Sequence, residues 1–309
     1  MEKTVVLDGK SFPKTKNYLS IHKKKTRVSD NVLYVLIYLS ASISVILLIG
    51  IIGYVFAKGI SRVSWSFLTS VTSALKGTTG IAGNILNTIY IILLTLLVAA
   101  PVGIGSAIYL NEYAKPGKIV KIIEFTTETL SGIPSIVFGL FGMMFFGNTL
   151  GLGYSLLTGA LTLAIMVLPL ITRNTQEALK TVPDSYRNGA LGMGATKWYM
   201  IRTILLPSAM PGIVTGVILA IGRIVGESAA LLFTAGSGYL LPKTSLGYLH
   251  KILESGGTLT IQLYLSMSKG QYDIAFGIAV VLLVIVLVIN MITKLLAGKL
   301  DVTKKNWEG

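Results

Sequence analysis

The 309-residue chain contains no cysteine. That excludes disulfides, thiolate metal sites and thiol nucleophiles. Histidine is almost as scarce: His22 and His250 are far apart in sequence and fall on opposite sides of the membrane topology derived below. There is no HExxH pair, and no second intramembrane acid to complete an acid/base pair, so intramembrane enzyme chemistry is not expected. Nucleotide motifs are also missing. The Gly9-Lys10-Ser11 triplet would need a P-loop glycine at position 4, which is Thr4. GIGSAI (103–108) and GMGATK (192–197) lack the third glycine of GxGxxG. The chain is therefore not expected to bind ATP itself, and it implies no cofactor or metal of its own. Charge is sparse too, at 13% against about 25% in typical soluble domains.

What fills the chain instead is hydrocarbon. Hydrophobic residues make up 52% of the sequence, and the mean hydropathy is +0.72. Residues 31–57, 77–111, 129–172, 203–222 and 274–293 carry no Asp, Glu, Lys or Arg. A membrane span needs about 20 mostly apolar residues. The long run 129–172 is divided by the turn-forming GNTLGLG at 147–153, and the run from 203 continues past Arg223 and Glu227. The pattern predicts an all-α membrane protein with six spans, near 32–57, 82–110, 130–147, 152–173, 205–234 and 273–297. The domain 31–300 lies between a basic tail, 1–30, and a short tail, 301–309. The first 30 residues have eight basic groups and no apolar signal-peptide core, so no cleaved signal is expected.

The net charge of +14 follows this topology. With both termini cytoplasmic, 20 of the 27 Lys and Arg face the cytoplasm, six face outside and Arg223 is in the membrane. That is the positive-inside bias, with some attraction to anionic lipid, and it argues against nucleic acid as a partner. Between spans, residues 111–129 predict an amphipathic cytoplasmic helix after Pro116. Pro134 is expected to kink or start the third span. An outer loop, 235–272, contains two amphipathic pieces, SLGYLHKIL and TLTIQLYLSM.

The longest cytoplasmic loop includes VPDSYRNGALGMGATKWYMIRTILLP, residues 182–207. Asp184 or Ser185 after Pro183 is a good N-cap. A helix from Tyr186 to Met193 should follow and stop at Gly192 or Gly194. It would offer Ala190, Leu191 and Met193 to the cytoplasm. Such a patch marks either a partner site or a helix lying on the bilayer, and the residues alone leave both open.

In LAIGRIVGESAALLF (219–233), two opposite charges interrupt an apolar run. At about 100° per residue, Gly212, Gly216, Ala220, Gly222, Gly226 and Ala230 fall within roughly 80° of one direction. Arg223 and Glu227 fall inside that arc. The opposite arc holds Ile213, Val214, Val217, Ile218, Ile221, Ile224, Val225, Leu231 and Leu232, which is expected to meet lipid. The small face would admit a neighbouring helix or a pathway. A charge at mid-membrane costs about 2.5–3.5 kcal/mol, and an i, i+4 spacing would let the two meet on one helix. One reading is a buried ion pair that fixes packing. The other is an oxyanion site. Guanidinium presents paired donors to phosphate oxygens, and Glu227 would hold Arg223 in the empty pathway or take a proton from hydrogen phosphate.

The loop resembles that of ABC importer membrane subunits: EAA, three residues, Gly, nine residues, then I-x-L-P. Asn188-Gly189-Ala190 occupies the EAA slot, and Gly194, Ile204, Leu206 and Pro207 follow at the family's spacing. The Glu and first Ala of the motif are replaced by Asn188 and Gly189. The resemblance implies that this loop is a coupling helix docking into a groove of an ATPase subunit. GIGSAIYLNEYAKPGK (103–118), LSGIPSIVFGLFG (130–142), LPLITRNTQEALKTVPDSYRNGALGMGATKW (168–198), GRIVGESAALLFTAG (222–236) and TLTIQLYLSMSKG (258–270) resemble phosphate-specific permease subunits of the PstA type, over residues 70–300. The family implies a type I importer permease (MetI-like) fold in a prokaryotic cell membrane. It also implies four kinds of partner: a PstC-like second permease, two PstB-like ATPases using ATP and magnesium, a PstS-like binding protein delivering phosphate, and membrane lipid. Arg223 and Glu227 match the family's R-x-x-G-E segment on the translocation pathway. Sulfate and molybdate permeases share that type of segment. A gradient-driven secondary transporter would not need the coupling-loop spacing.

Overall fold

A computed structural model describes residues 5–7, 10–12, 28–73, 78–115, 117–242 and 244–300. The KKKTR segment, most of the expected 1–30 tail and all of the 301–309 tail lie outside the described residues. The chain divides into two units, 1–54 and 55–309. The first contains an antiparallel hairpin, β1 (Val5–Leu7) with β2 (Lys10–Phe12), which pairs Val6 with Ser11. It also contains most of α1 (Val28–Gly59), whose side chains are exposed all round from residue 31 to 51. An apolar helix without a polar face matches lipid as its solvent.

The second unit opens with α2 (Trp65–Thr69) and a hairpin, β3 (Val71–Ser73) with β4 (Thr78–Ile81). Helix α3 (Ala82–Ile108) runs on through a π-helical turn to Tyr113. Then come α4 (Lys118–Ser131), α5 (Ser135–Gly142) with a π-helical extension to Thr149, and α6 (Leu156–Lys180). The surface helix α7 (Asp184–Gly192) precedes α8 (Lys197–Met200), which joins α9 (Leu206–Gly226) through another π-helical turn. Helices α10 (Ala229–Thr234), α11 (Ser245–His250), α12 (Leu259–Ser268) and α13 (Tyr272–Leu300) complete the chain.

Helix α6 is the axis of this unit, packed against α3 on one side and α9 on the other. Its buried face, Leu163, Val167 and Ile171, joins Ile91, Ala99, Ile221 and Ile224 in the main core. Small residues set the approach of the helices. A Cβ on Gly103 would lie 2.9 Å from the Ile171 side chain, and one on Gly216 2.6 Å from Asn174 Cβ. The outer loop is held by polar groups buried in α3. Asn84 and Asn87 donate to the Gly257 carbonyl at 2.9 and 3.1 Å, and Leu259 N donates to Thr88 at 3.0 Å. In the same loop Lys251 is buried and bonds Glu254 and the Ser255 carbonyl.

Five described helical stretches are long and apolar enough to cross a membrane: 31–62, 82–113, 156–180, 197–226 and 272–295. Two of the six expected spans differ from the expectation. The third is not one straight helix: α5 with its extension covers 15 residues, about 22 Å at 1.5 Å per residue, short of a core of about 30 Å. It meets α4 at 103°, around the break at Pro134. The GNTLGLG turn falls as expected, with Gly151 and Gly153 in the left-handed region before α6. The fifth span is broken as well. Its helix ends at Gly226, Glu227 is extended (ψ 125°), and α10 starts at Ala229.

Candidate functional site

The break in the fifth span decides how the charged pair is arranged. A helix end inside a membrane leaves carbonyls and N–H groups without intrahelical partners. Here they are met locally. Thr260 Oγ1 donates to the Val225 carbonyl at 2.6 Å, and Glu227 Oε1 accepts from Ala230 N at 3.0 Å. Glu227 thus caps α10, while Arg223 stays in the last turn of α9. The expected i, i+4 pairing on one helix does not occur. No ion pair joins the two among the described residues, because Glu227 has left the helix that carries Arg223.

The expected faces of α9 hold only in part: Gly216, Ala220 and Ala230 of the small arc are buried as expected, but much of the bulky arc is buried too. Ile213, Ile221, Ile224, Val225 and Leu231, assigned to lipid, are buried in the protein. The exposed stripe is Thr215, Leu219, Gly222, Arg223 and Gly226. The small residues divide by position. Gly212 and Gly216 abut Ala178 and Asn174, whereas Gly222 and Gly226 have open space around their α-carbons. The arc reasoning found the close approach but not which half of it α6 fills.

Arg223 opens onto a cavity of about 400 Å³ between α4, α6 and α9. One wall is a single face of α6, running through Met166, Leu170, Arg173, Glu177 and Lys180. Fourteen residues at 1.5 Å give that wall a length of about 21 Å. Gly212 meets Ala178 and Gly216 meets Asn174, so α9 runs antiparallel to α6 and Arg223 falls near the level of Met166, ten residues and about 15 Å into α6. The cavity runs from there along α6 to Lys180, the end that leads into α7. The opposite wall is the polar face of α4, Glu124 and Glu128, while Ile119, Ile122 and Phe125 of α4 point away, exposed. This is the amphipathic helix expected after Pro116. Arg173 pairs with Glu128 at 3.8 Å and Lys180 with Glu177 at 3.2 Å, all largely exposed. Such pairs contribute little stability. Arg223 is the lining cation with no hydrogen bond or ion pair among the described residues.

At that end of the bundle, α7 forms close to the expected position. It starts at Asp184 rather than Tyr186, with Pro183 preceding it and no side-chain cap. Gly194 takes φ +81°, which L side chains rarely adopt, and the Gly194 and Ala195 N–H groups bond back to Leu191 and Ala190 at 3.0 Å. The seven residues of the coupling pattern separate. Asn188, Gly189 and Gly194 are exposed, and Ile204, Leu206 and Pro207 are half-buried where α9 begins. Ala190, expected on the surface, is instead 2% exposed, packed with Leu179, Met200, Ile201 and Leu205. Leu191 and Met193 are exposed as expected, and Tyr186, Trp198 and Tyr199 extend the apolar surface.

The pairing of Arg187 with Glu112 was not foreseen. The two residues are 75 apart in sequence, and their side chains meet at 3.1 Å, nearly buried. Both are visible as charges within the quoted motifs, but nothing in either motif says which partner it has. No group of three or more His, Asp and Glu suited to a metal ion occurs among the described residues.

Residues 99–303 match the model of the family described as the binding-protein-dependent transport system inner membrane component. The probable ABC transporter permease YqgI of Bacillus subtilis is 39% identical over 210 residues, 68% of this chain and 71% of that protein. The phosphate transport system permease PstA 1 of Mycobacterium tuberculosis is 31% identical over 279 residues, 86% of this chain and 88% of that protein. Among solved structures, a bacterial alginate ABC transporter superposes with a TM-score of 0.65 at 17% identity, covering 88% of this chain and 96% of that one. The chain belongs to the family of binding-protein-dependent transport system inner membrane components, the membrane-spanning permease subunits of ABC importers.

Proposed function

We propose that this permease subunit passes inorganic phosphate through a prokaryotic cell membrane, with Arg223 as the group that meets the anion. What supports the reading is a cationic side chain within an apolar span, unpaired among the described residues, that lines a cavity. A guanidinium is costly there unless it is used, and its planar donors suit a tetrahedral oxyanion. PstA names among relatives support phosphate over sulfate or molybdate. Glu227 stands one turn on, at the break that follows α9. One carboxylate oxygen caps α10, and the carboxylate is proposed to accept a hydrogen bond from the O–H that hydrogen phosphate carries and sulfate lacks.

The chain pairs with a PstC-like permease above two PstB-like ATPases, which hold the ATP and magnesium, while a PstS-like protein delivers phosphate from outside. Helix α7 is the ATPase-facing element. Asn188, Gly189 and the exposed Leu191 and Met193 supply its surface, Gly194 turns the chain, and Ile204, Leu206 and Pro207 start the helix that carries Arg223. The basic excess puts α7 and both termini on the cytoplasmic side, so the cavity opens inward. The test is uptake into proteoliposomes by the reconstituted complex with its binding protein. Labelled phosphate should accumulate with ATP, undiminished by tenfold excess sulfate or molybdate. Competition by either anion would reassign the substrate, and uptake without ATP would remove the ABC mechanism.

A further inference from the structure

We propose that Arg187 and Glu112 form a positioning latch, through which movement of α7 moves α3 and α6 and with them the walls of the cavity. The proposal rests on α7 being the ATPase-facing helix. Arg187 uses its guanidinium on three elements at once. Nε and Nη2 reach Glu112 Oε1 at 3.2 and 3.1 Å, at the end of the helical run that begins as α3. Nη2 also reaches the Leu179 carbonyl at 2.9 Å, and Nη1 the Val182 carbonyl at 2.8 Å, where α6 ends. A further bond from Nη1 to Asp184 Oδ1, at 3.1 Å, stays within α7. The last carbonyls of a helix lack intrahelical partners and carry the negative end of its dipole. Arg187 satisfies both needs.

Burial makes the contact rigid. The Glu112 side chain is 5% exposed and that of Arg187 17%. Asn111 Nδ2 also donates to Glu112 Oε1, at 2.7 Å. From the start of α8, Lys197 donates to the Glu112 carbonyl and stands over the Tyr113 ring at 4.9 Å. Both sides of the α7–α8 turn therefore hold residues 112–113. The lever is complete at the other end, because α6 forms the cavity wall and Gly216 and Gly212 seat α9 on it. Lysine cannot replace this fork. An ammonium is a compact point charge and cannot span a carboxylate and two carbonyls as a planar group does.

The test uses the full complex carrying R187K, E112Q or both. Three quantities are read: retention of the ATPase subunit on purification, stimulation of ATP hydrolysis by the loaded binding protein, and labelled phosphate taken up per ATP hydrolysed. R187K should retain the ATPase subunit at the wild-type ratio and still hydrolyse ATP. Its phosphate per ATP and its stimulation should each fall about tenfold, within the range for residues that transmit coupling. The double variant should be no worse than R187K, since both act through one contact. A wild-type phosphate-to-ATP ratio in R187K would overturn the latch, as would loss of activity matched by loss of the ATPase subunit. A wild-type complex that holds no ATPase subunit would overturn the reading of α7 and the latch with it. Reading stimulation in parallel keeps the coupling defect visible if the wild type carries another anion.

Discussion

Substituting Arg223 by glutamine separates the two readings of the charged pair by how much stability it removes. In a buried ion pair, removing the arginine strands a carboxylate and costs about 3–5 kcal/mol. Here no carboxylate is stranded. Glu227 is bonded to Ala230 N, and Arg223 faces the open cavity among the exposed residues of α9. The cost should stay within about 0.5 kcal/mol, as for other exposed substitutions. One kcal/mol moves the melting temperature of a domain of this size by about 2–4 °C, so the readings predict shifts of about 1–2 °C against 6 °C or more. Transport should respond very differently. A hydrogen bond to a charged group contributes about 1.5–3 kcal/mol, so losing the guanidinium's contribution to anion binding should slow uptake by about tenfold to a hundredfold. The assay pairs thermal unfolding of the purified complex with phosphate uptake in proteoliposomes. An R223Q complex that melts more than about 6 °C lower, or one that transports at the wild-type rate, would refute the reasoning.

Substitutions at three further positions probe the site and the proposed docking helix. Glu227→Gln keeps an acceptor for Ala230 N, so the complex should assemble with normal stability but transport less; Glu227→Ala should lose about 1 kcal/mol besides, as a lost cap does, and equal melting temperatures for the two would contradict the capping role. Gly194→Ala places a Cβ at φ +81° and should cost about 1–2 kcal/mol, measured as a lower melting temperature with weaker retention of the ATPase subunit. Gly189 has no atom within 4 Å of a built Cβ, so Gly189→Trp should leave the fold intact and abolish co-purification of the ATPase subunit. Unchanged co-purification would instead place α7 on the bilayer, where an added tryptophan is well accommodated.

What could be read from the sequence, and what could not, follows from how far apart the interacting residues are. Spans, turns and the surface helix α7 are local. Their signals are an uncharged run, a glycine cluster or a Gly194 that turns the chain, and apart from the breaks in the third and fifth spans each falls within a few residues of its expected place. The coupling pattern was legible for the same reason, since its seven residues lie within 20 positions. Glu112 with Arg187, and Asn84 and Asn87 with Gly257, join residues 75 to 173 apart. No single-sequence periodicity encodes such a pairing. Ala190 differs from expectation for a related reason, because residue type states a preference for burial and only the neighbours decide it.

The broken fifth span shows how a strong periodic signal can mislead. Counting at 100° per residue assumes an unbroken helix, and the assumption fails at the residue of most interest. Gly226, Glu227 and Ser228 are together a weak helical stretch: glycine has high conformational entropy, and a carboxylate or hydroxyl can cap a following helix instead of continuing one. In a soluble protein such a break is satisfied by water. In a membrane it survives only where side chains meet the freed backbone groups or where it lines a cavity. Here the first condition holds: Thr260 and Glu227 bond the backbone on either side of the break, while Arg223, one turn earlier, faces the cavity. The break therefore uncouples the two charges. It assigns Glu227 to the backbone and leaves Arg223 without a partner among the described residues, which is the state a side chain must be in to receive an anion.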